Sequence, residues 1–343
     1  MIPVKDGEPV LKTVTTRTAI ALIGAAVLAP TLRGFESIEK TADAPVVKTE
    51  MLVSTSWLQE HLADRDLVVL YIGQDQTRFD EGHVPGSLFV RLDELVEQRK
   101  DSLNELPPVA DLQALFESLG VGDDSRVILM GDHGGVFAAR AYFTLDYLGH
   151  DTRTALLDGG LEKWTAESRP LSRTSVHPAP ATFTMRLQPD ILISTSEMQE
   201  LNMASPSGSA APFVLLDARP VNEFEGVVNS EAVPKAGHIS GAQSLYWKKL
   251  IRSEADPVLL DLAELKQRFR GAGFQQGQKV ITYCRTGMQS SFTYFVAKYL
   301  GYAAAMYDGS VYEWVNAGND LVVSPDRASM GSAHWWACQA RRF

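Results

Sequence analysis

Cys284 and its neighbours are the part of the sequence best suited to chemistry. Residues 280–283 (Val-Ile-Thr-Tyr) are β-branched and aromatic and predict a short buried strand. Residues 290–300 are long and apolar enough to predict a helix. A cysteine between a strand end and a helix start lies among unpaired backbone N–H groups, which favour an anion. We therefore expect a thiolate whose pKa lies below the ordinary value of about 8.5.

Arg285 supports this interpretation because its guanidinium adds a permanent positive charge and a planar set of donors next to the thiol. A strand, Cys-Arg, one variable position, Gly and a helix together predict a nucleophile in a cradle that also accepts an anionic substrate. The alternative is a buried structural cysteine, since free cysteines are among the most buried residues. The surrounding pattern favours the nucleophile.

The sequence resembles the rhodanese family of sulfurtransferases at four motifs that follow the family's order and spacing. They are Cys-Arg-Thr-Gly at 284–287, Leu-Asp-Ala-Arg at 216–219, Gly-His-Ile-Ser-Gly-Ala at 237–242, and Tyr-Asp-Gly-Ser at 307–310 with Trp314. The resemblance extends over about residues 51–325. It implies two tandem domains and a cysteine that carries sulfur.

The resemblance implies a reaction in two steps at Cys284. The thiolate attacks the outer sulfur of a donor and becomes a persulfide, and an acceptor such as cyanide or a thiol then removes that sulfur. Arg285 and Arg219 are expected to hold the donor's anionic group, although a surface ion pair is the alternative for Arg219. The remaining substrate-binding residues are expected to be Thr286, Gly287, Met288 and Gln289. The tight loop needs the glycine, and no metal or organic cofactor is required.

Thiosulfate is the predicted donor, and 3-mercaptopyruvate is the alternative. In this family a Cys-Arg loop with further cations resembles the thiosulfate-preferring enzymes, and a Cys-Gly-Ser/Thr-Gly loop resembles the mercaptopyruvate-preferring ones. Arg285 fits the first pattern, but Thr286 stands where thiosulfate enzymes often carry a lysine. Many mercaptopyruvate enzymes have an arginine before the Phe of the next motif, whereas here Glu223 precedes Phe224. The loss of that carboxylate-binding group favours thiosulfate.

The chain contains two copies of one domain. Gly-His turns at 82–83 and 237–238, and Asp-Gly pairs at 158–159 and 308–309, recur in the same order. Strands that alternate with helices predict two tandem α/β rhodanese-like domains, each a mainly parallel sheet with helices on both faces. The predicted divisions are a signal-like segment and polar tether at 1–50, a first domain at 51–172, a linker at 173–190, a second domain at 191–325 and a tail at 326–343.

Only the second domain is predicted to be catalytic. Alignment of the two copies places Gly131 opposite Cys284, so the first copy lacks the thiol. Asp132 stands opposite Arg285, and its carboxylate would repel the anion that the second loop attracts. We expect the first domain to form one wall of a cleft between the domains.

Three histidines are better explained as structural residues than as catalytic ones. His133 lies in the loop of the inactive copy and could contact substrate, but a hydrogen-bonded loop histidine is the more ordinary role. His83 and His238 occupy equivalent Gly-His turns. Because one of these turns belongs to the inactive copy, their duplication predicts structural hydrogen bonding.

Composition limits the partners. The 343 residues include 42 acidic and 32 basic side chains, which give a formal charge of −10. A negative surface repels phosphate backbones, so nucleic acid is excluded as a partner. A small anionic sulfur donor and a thiol or cyanide acceptor are expected instead. The two cysteines, Cys284 and Cys338, allow neither a disulfide scaffold nor a zinc cluster. Cys338 is interpreted as incidental, with a resolving thiol as the alternative.

The N-terminus has the pattern of an export signal. Lys12 and Arg17 precede the apolar residues 19–29, a stretch too short to span a bilayer comfortably. Possible cleavage sites end at Ala29 and Ala44, and each is followed by a proline, which signal peptidase tolerates poorly. A periplasmic or otherwise exported protein is therefore predicted, without a stable membrane span after any cleavage. The alternatives are an uncleaved anchor and a cytoplasmic extension.

Three other functions are alternatives to an enzyme that transfers sulfur between small molecules. A phosphatase of a related fold would use Cys-x5-Arg, but Ser290 stands at the arginine position. A sulfur-carrier or interaction module without its own turnover is compatible with the inactive first domain. A redox function would pair Cys284 with Cys338 and predicts a disulfide under mild oxidation.

Overall fold

The computed structural model describes residues 45–204 and 211–323, which form two successive α/β units. The strands and α-helices of the first unit are β1 (Leu52–Val53), α1 (Thr55–His61), β2 (Leu67–Gly73), α2 (Thr77–Glu81), β3 (Leu88–Arg91), α3 (Val109–Ser118), β4 (Arg126–Gly131), α4 (Val136–Tyr147), β5 (Thr154–Leu157) and α5 (Gly160–Ala166).

The second unit repeats this order. Its elements are β6 (Leu192–Ile193), α6 (Thr195–Ala204), β7 (Phe213–Asp217), α7 (Val221–Phe224), β8 (Gln243–Ser244), α8 (Leu262–Gly271), β9 (Lys279–Tyr283), α9 (Met288–Tyr299), β10 (Ala304–Tyr307) and α10 (Ser310–Asn316).

Both sheets are parallel and have the same strand order. The first runs β1-β5-β4-β2-β3 and the second β6-β10-β9-β7-β8, so that corresponding strands occupy corresponding places. The strands pair in parallel throughout the two sheets. The prediction of tandem α/β domains with parallel sheets is therefore confirmed. Parallel strands bring their carboxyl ends to one edge of each sheet, where ligands bind in such folds.

Helices cover both faces of the first sheet. Leu70 and Ile72 of β2 join a hydrophobic cluster that contains residues of α3 and α4. The alternate residues Val69 and Tyr71 point the other way and join a cluster with Leu58 of α1 and residues of α5. This alternation follows from the two-residue period of a strand. Burial on both faces explains why the central strands are almost continuously apolar.

Helices α4 and α9 join the two units through a buried interface. The rings of Tyr142 and Phe295 meet edge to face with centroids 5.0 Å apart, and those of Phe143 and Tyr294 do so at 5.2 Å. The hydroxyl of Tyr294 donates to Asp146 Oδ2 at 2.6 Å. One hydrophobic cluster continues from the first sheet through these helices into the second sheet. The two units therefore share a core, which fixes the loops at its border.

The residues between the two units form hydrogen bonds with the first unit. Ser172 pairs with His83, and the N–H of Arg186 donates to the carbonyl oxygen of Leu148 at 2.8 Å. The predicted limits of the domains and of the linker at 173–190 stay predictions. Residues 1–44, the tail at 326–343 and Cys338 lie outside the described residues, so export and any function of Cys338 also stay predictions. Within 45–204 and 211–323, no helix has the length and apolar character that crossing a bilayer requires.

Candidate active site

Cys284 directly follows β9, and α9 begins four residues later at Met288. The thiol therefore lies at the carboxyl edge of the second sheet, where the strand-to-helix pattern placed it. Only 1 % of Cys284 is exposed. Ser290 Oγ lies 3.6 Å from Cys284 Sγ and donates to the carbonyl oxygen of Gly287 at 2.9 Å. The thiol is thus almost fully buried, with one hydroxyl beside it.

The loop from Cys284 to Met288 holds several free backbone donors. The N–H groups of Cys284 and Gly287 donate to Ser310 Oγ at 3.1 and 3.0 Å. Those of Arg285, Thr286, Met288 and Gln289 have no acceptor among the described residues. Unpaired N–H groups before and within the first turn of a helix form an anion-binding environment. The loop therefore has free donors of the kind that the expected cradle requires.

A row of alternating charges ends at Arg285. Asp217 accepts hydrogen bonds from Nε and Nη2 of Arg219, which also donates to the carbonyl oxygen of Gly237 at 2.8 Å. Arg219 Nη1 lies 3.9 Å from Glu223 Oε2. Glu223 in turn accepts from Nε and Nη2 of Arg285. These hydrogen bonds, and the negative charge of Glu223, raise the pKa of Arg285, so its guanidinium stays charged.

The two predicted anion-binding arginines occupy different environments. The side chain of Arg285 is 30 % exposed, and its Nη1 has no hydrogen-bond partner among the described residues. That edge of the guanidinium can meet an anion. The side chain of Arg219 is 2 % exposed and is occupied by Asp217, Gly237 and Glu223. Its buried position indicates that Arg219 holds Glu223 in place and does not itself reach the exposed edge that Arg285 offers to an anion.

Gly287 adopts a left-handed conformation with a φ of 81° and caps α9. A Cβ atom there would lie 2.8 Å from the carbonyl oxygen of Asp308 and still closer to its carboxylate. Both the backbone angle and the lack of space therefore require glycine. The prediction that the tight loop needs a glycine at this position is supported by this geometry.

The first domain holds the loop from the other side. Asn104 Nδ2 donates to Thr286 Oγ1 at 2.8 Å, and Arg140 Nη2 donates to the carbonyl oxygen of Asn104 at 2.5 Å. Arg140 also forms a two-point ion pair with Asp308, with both side chains 1 % exposed or less. The prediction named neither Asn104 nor Arg140. The signal for Arg140 was a single cation within the apolar helix α4, because a buried charge requires a partner.

Met288 and Gln289 begin α9 and are both half-buried. Gln289 Oε1 is buried and accepts no hydrogen bond from the described residues. An amide oxygen without a donor can receive a hydrogen bond from a bound molecule. Thr286, which Asn104 holds, lies in the same loop. The substrate-binding function of these three residues stays a prediction.

The corresponding loop of the first domain is closed. Gly131 takes the place of the thiol, and Asp132 accepts a hydrogen bond from the Tyr71 hydroxyl and pairs with Arg78 at 3.3 Å. The cavity beside this loop measures only about 20 Å³. Trp247 of the second domain lies close to Gly134, and Phe292 of the same domain lies close to Gly135. Phe292 also lines the cavity. This loop of the first copy thus has no thiol and only a small cavity beside it.

The histidines of the two Gly-His turns have structural contacts, as predicted. His83 Nδ1 lies 2.9 Å from the carbonyl oxygen of Phe79, and His238 Nδ1 lies 2.7 Å from that of Phe224. The ring of His83 also stacks on that of Phe79, and the ring of His238 on that of Phe224, each at a centroid distance of 3.8 Å. His133 is exposed and has its ring against Phe137.

Glu105 is half-buried, with one carboxyl oxygen buried, and its charge interacts with those of Arg140 and Asp308. One of its oxygens has no hydrogen-bond partner among the described residues. Burial, and then the negative charges of Asp308 and Glu313, raise its pKa from 4.5 to about 8. Arg140 and Arg99 act in the opposite direction but do not offset this. The group is therefore uncharged through much of the neutral range, which limits the negative charge beside the catalytic loop.

Replacement of Gly287 by alanine is expected to destabilise the chain more than the same change at Gly277. Gly277 has a similar φ of 89° but nothing within 4 Å of a new Cβ, so only the backbone cost of ~1–2 kcal/mol applies there. At Gly287 the overlap with Asp308 adds ~1–3 kcal/mol. Urea unfolding of the two variants measures the difference. Equal losses would contradict the tight packing of Gly287.

Glu105→Gln is expected to change the pH dependence of stability. Because the folded-state pKa is raised, the contribution of Glu105 to stability is fully present below about pH 4.5 and is lost as the pH rises through about 8. Glutamine removes this loss. Relative to wild type, the variant should thus gain free energy of unfolding between about pH 5 and about pH 9. Parallel pH profiles for the two proteins would refute the assignment.

Comparison with known proteins agrees with this geometry. The sequence matches the rhodanese-like domain family twice, at residues 54–167 and 198–317. It is 32% identical over 283 residues to the sulfur carrier protein TtuD of Thermus thermophilus, which covers 78% of this chain and 94% of the relative. It is also 32% identical over 270 residues to the thiosulfate sulfurtransferase of Pseudomonas aeruginosa, with the same coverages.

A solved structure has the same fold. The crystal structure of SseA from Escherichia coli, a 3-mercaptopyruvate sulfotransferase, superimposes with a TM-score of 0.66 at 22% identity. The alignment covers 76% of this chain and 98% of that one. At this identity the likeness shows the fold alone. The two family matches cover most of the chain, and both units have the matching fold, so the protein belongs to the rhodanese family and consists of two rhodanese-like domains.

Proposed function

We propose that the chain moves a sulfane sulfur from thiosulfate to a thiophilic acceptor, cyanide or a thiol, through a persulfide on Cys284. The observation that carries this proposal is the loop itself. The Cys284 thiol belongs to a loop in which four following backbone N–H groups have no acceptor among the described residues, and the partly exposed guanidinium of Arg285 is next to it in the chain. This arrangement favours both a thiolate and an anionic donor at the same point.

The reaction balances without a cofactor. The Cys284 sulfur attacks the outer sulfur of thiosulfate, a new S–S bond forms, and sulfite leaves with the electron pair of the broken S–S bond. Cyanide or a thiolate then attacks the terminal sulfur of the persulfide. The Cys284 sulfur leaves as a thiolate, and thiocyanate or a new persulfide is released. The free N–H groups can stabilise negative charge on the sulfur in both states of the enzyme.

Arg285 supports thiosulfate as the donor. Glu223 holds two of its nitrogens and so fixes the plane of the guanidinium, while Nη1 stays free for a sulfonate oxygen. In the charge row, Asp217 offsets Arg219 and Glu223 offsets Arg285, so the cationic end of a neutral row faces the site. The relative from Pseudomonas aeruginosa is named a thiosulfate sulfurtransferase, which agrees with this choice. The alternative donor is 3-mercaptopyruvate.

A sulfur-carrier function is the second candidate. The relative from Thermus thermophilus is named a sulfur carrier protein, which is the observation in favour of this function. The 1 % exposure of Cys284 restricts access by a bulky partner and favours small reactants instead. A carrier would accept sulfur on Cys284 and release it to a partner protein. The two functions differ in whether small donors and acceptors alone sustain turnover.

Thiocyanate formation from cyanide tests the proposal. We expect the purified full-length chain to turn over thiosulfate faster than 3-mercaptopyruvate, and we expect Cys284→Ser to abolish turnover. Cys338→Ser is the matched control and should remain active. A preference for 3-mercaptopyruvate would keep the mechanism and overturn the donor. A folded protein with a titratable Cys284 and no turnover on either donor would favour the carrier function.

Replacement of Arg285 by alanine is expected to raise the KM for thiosulfate by ~10–100-fold and to change kcat less, since a charge-assisted hydrogen bond contributes ~1.5–3 kcal/mol. Arg285→Lys keeps the charge but loses the planar fork, so an intermediate KM is expected. Arg91→Ala removes an exposed arginine of the first domain that pairs with Asp93 and serves as the control. An unchanged KM in Arg285→Ala would show that the anion binds elsewhere.

A further inference from the structure

The hydroxyl of Ser310 connects the two ends of the catalytic loop. Its oxygen accepts the N–H of Cys284 at 3.1 Å and the N–H of Gly287 at 3.0 Å. Its proton is donated to the carbonyl oxygen of Tyr307 at 3.0 Å. All hydrogen-bonding capacity of the hydroxyl is thereby used. Ser310 is fully buried and makes no contact that would suit a nucleophile or a base, so its function is geometric.

Ser310 holds this place in a conformation that does not suit serine. Its φ is 53°, in the left-handed region where glycine is favoured over any residue with a Cβ. Serine at such an angle is an observed departure from the ordinary backbone preference. Departures of this kind cluster at functional sites, where the surrounding structure imposes them. Here the hydroxyl supplies the reason, because glycine would leave two buried N–H groups without an acceptor.

The inactive copy provides an internal comparison. Gly160 occupies the equivalent position after Asp158 and Gly159 and has a similar φ of 55°. A Cβ at Gly160 would meet only Glu162 Oε2, at 3.1 Å, so the residue is not glycine for lack of space. The copy without the thiol therefore has the residue that the backbone prefers. The copy with the thiol has the residue that can anchor the loop.

We propose that Ser310 is a positioning residue for sulfur transfer at Cys284, which rests on the proposed function. Its hydroxyl binds the loop at its first and fourth residues and so fixes the turn between them. The intervening N–H groups of Arg285 and Thr286 are then held without acceptors in the protein. They remain available to the sulfur and to the anionic donor. Loss of the hydroxyl would let the loop relax and use these donors internally.

Two substitutions separate this function from plain stabilisation. Ser310→Gly and Ser310→Ala both remove the hydroxyl, but only the alanine retains the backbone strain, so Ser310→Gly should be the more stable of the two. We expect kcat for thiosulfate to fall equally in both, by about ten- to hundredfold, with KM nearly unchanged because Arg285 is intact. Gly160→Ser adds the hydroxyl to the inactive copy and should leave kcat at the wild-type value.

Alkylation of the cysteine tests the loop without a sulfur donor. In a Cys338→Ser background, in which Cys284 is the only thiol, we expect iodoacetamide to react more slowly with both Ser310 variants than with the parent. This readout holds even if the wild-type chain turns over neither donor, so it separates the two proposals. Wild-type kcat and alkylation rate in folded Ser310→Gly would overturn the assignment. The assignment would also be overturned if the kcat values of the two variants fell in proportion to their thermal midpoints.

Discussion

The buried ion pair between Arg140 and Asp308 is the interaction on which the active site depends. Arg140 belongs to α4 of the first domain, and Asp308 follows β10 of the second. Two charges this deeply buried are costly to desolvate, and removal of one partner would leave the other uncompensated. The pair therefore holds only when the two domains are docked. Asp308 in turn lies against Gly287, so docking and loop geometry are linked at one residue.

The net charge beside the thiol also depends on paired charges. Asp217, Arg219, Glu223 and Arg285 form a row in which each charge faces an opposite one. A lone arginine would bind any anion strongly, including the sulfite that would leave after the first step of the proposed reaction. An arginine held on one edge by Glu223 still presents donors to the donor's sulfonate. With less net charge it would hold both anions less tightly than a lone arginine, which would ease release of the product at some cost in binding of the substrate.

The sequence predicted local features well because their causes are local. The β-branched run before Cys284, the later helix and the repeated Gly-His and Asp-Gly motifs indicated the parallel sheets, the duplication and the place of the thiol. Contacts between residues that are far apart in the sequence could not be predicted in this way. Arg219 was expected to hold the donor's anionic group, but the direction of its side chain is set by Asp217 and by Gly237. The contacts of Asn104 with Thr286 and of Ser310 with the loop depend on docking and on one backbone angle, which periodicity does not encode.

The ring contacts between α4 and α9 have a consequence for the origin of the chain. Tyr142 meets Phe295 and Phe143 meets Tyr294. In both helices tyrosine is the seventh residue and phenylalanine the eighth. Each partner thus contributes the same two residues in exchanged positions, which is the rule of an isologous interface in a symmetric dimer. The two domains are arranged as two subunits would be, within one polypeptide. The first domain, which has Gly131 where the second has Cys284, takes the place of the second subunit and supplies half of this interface.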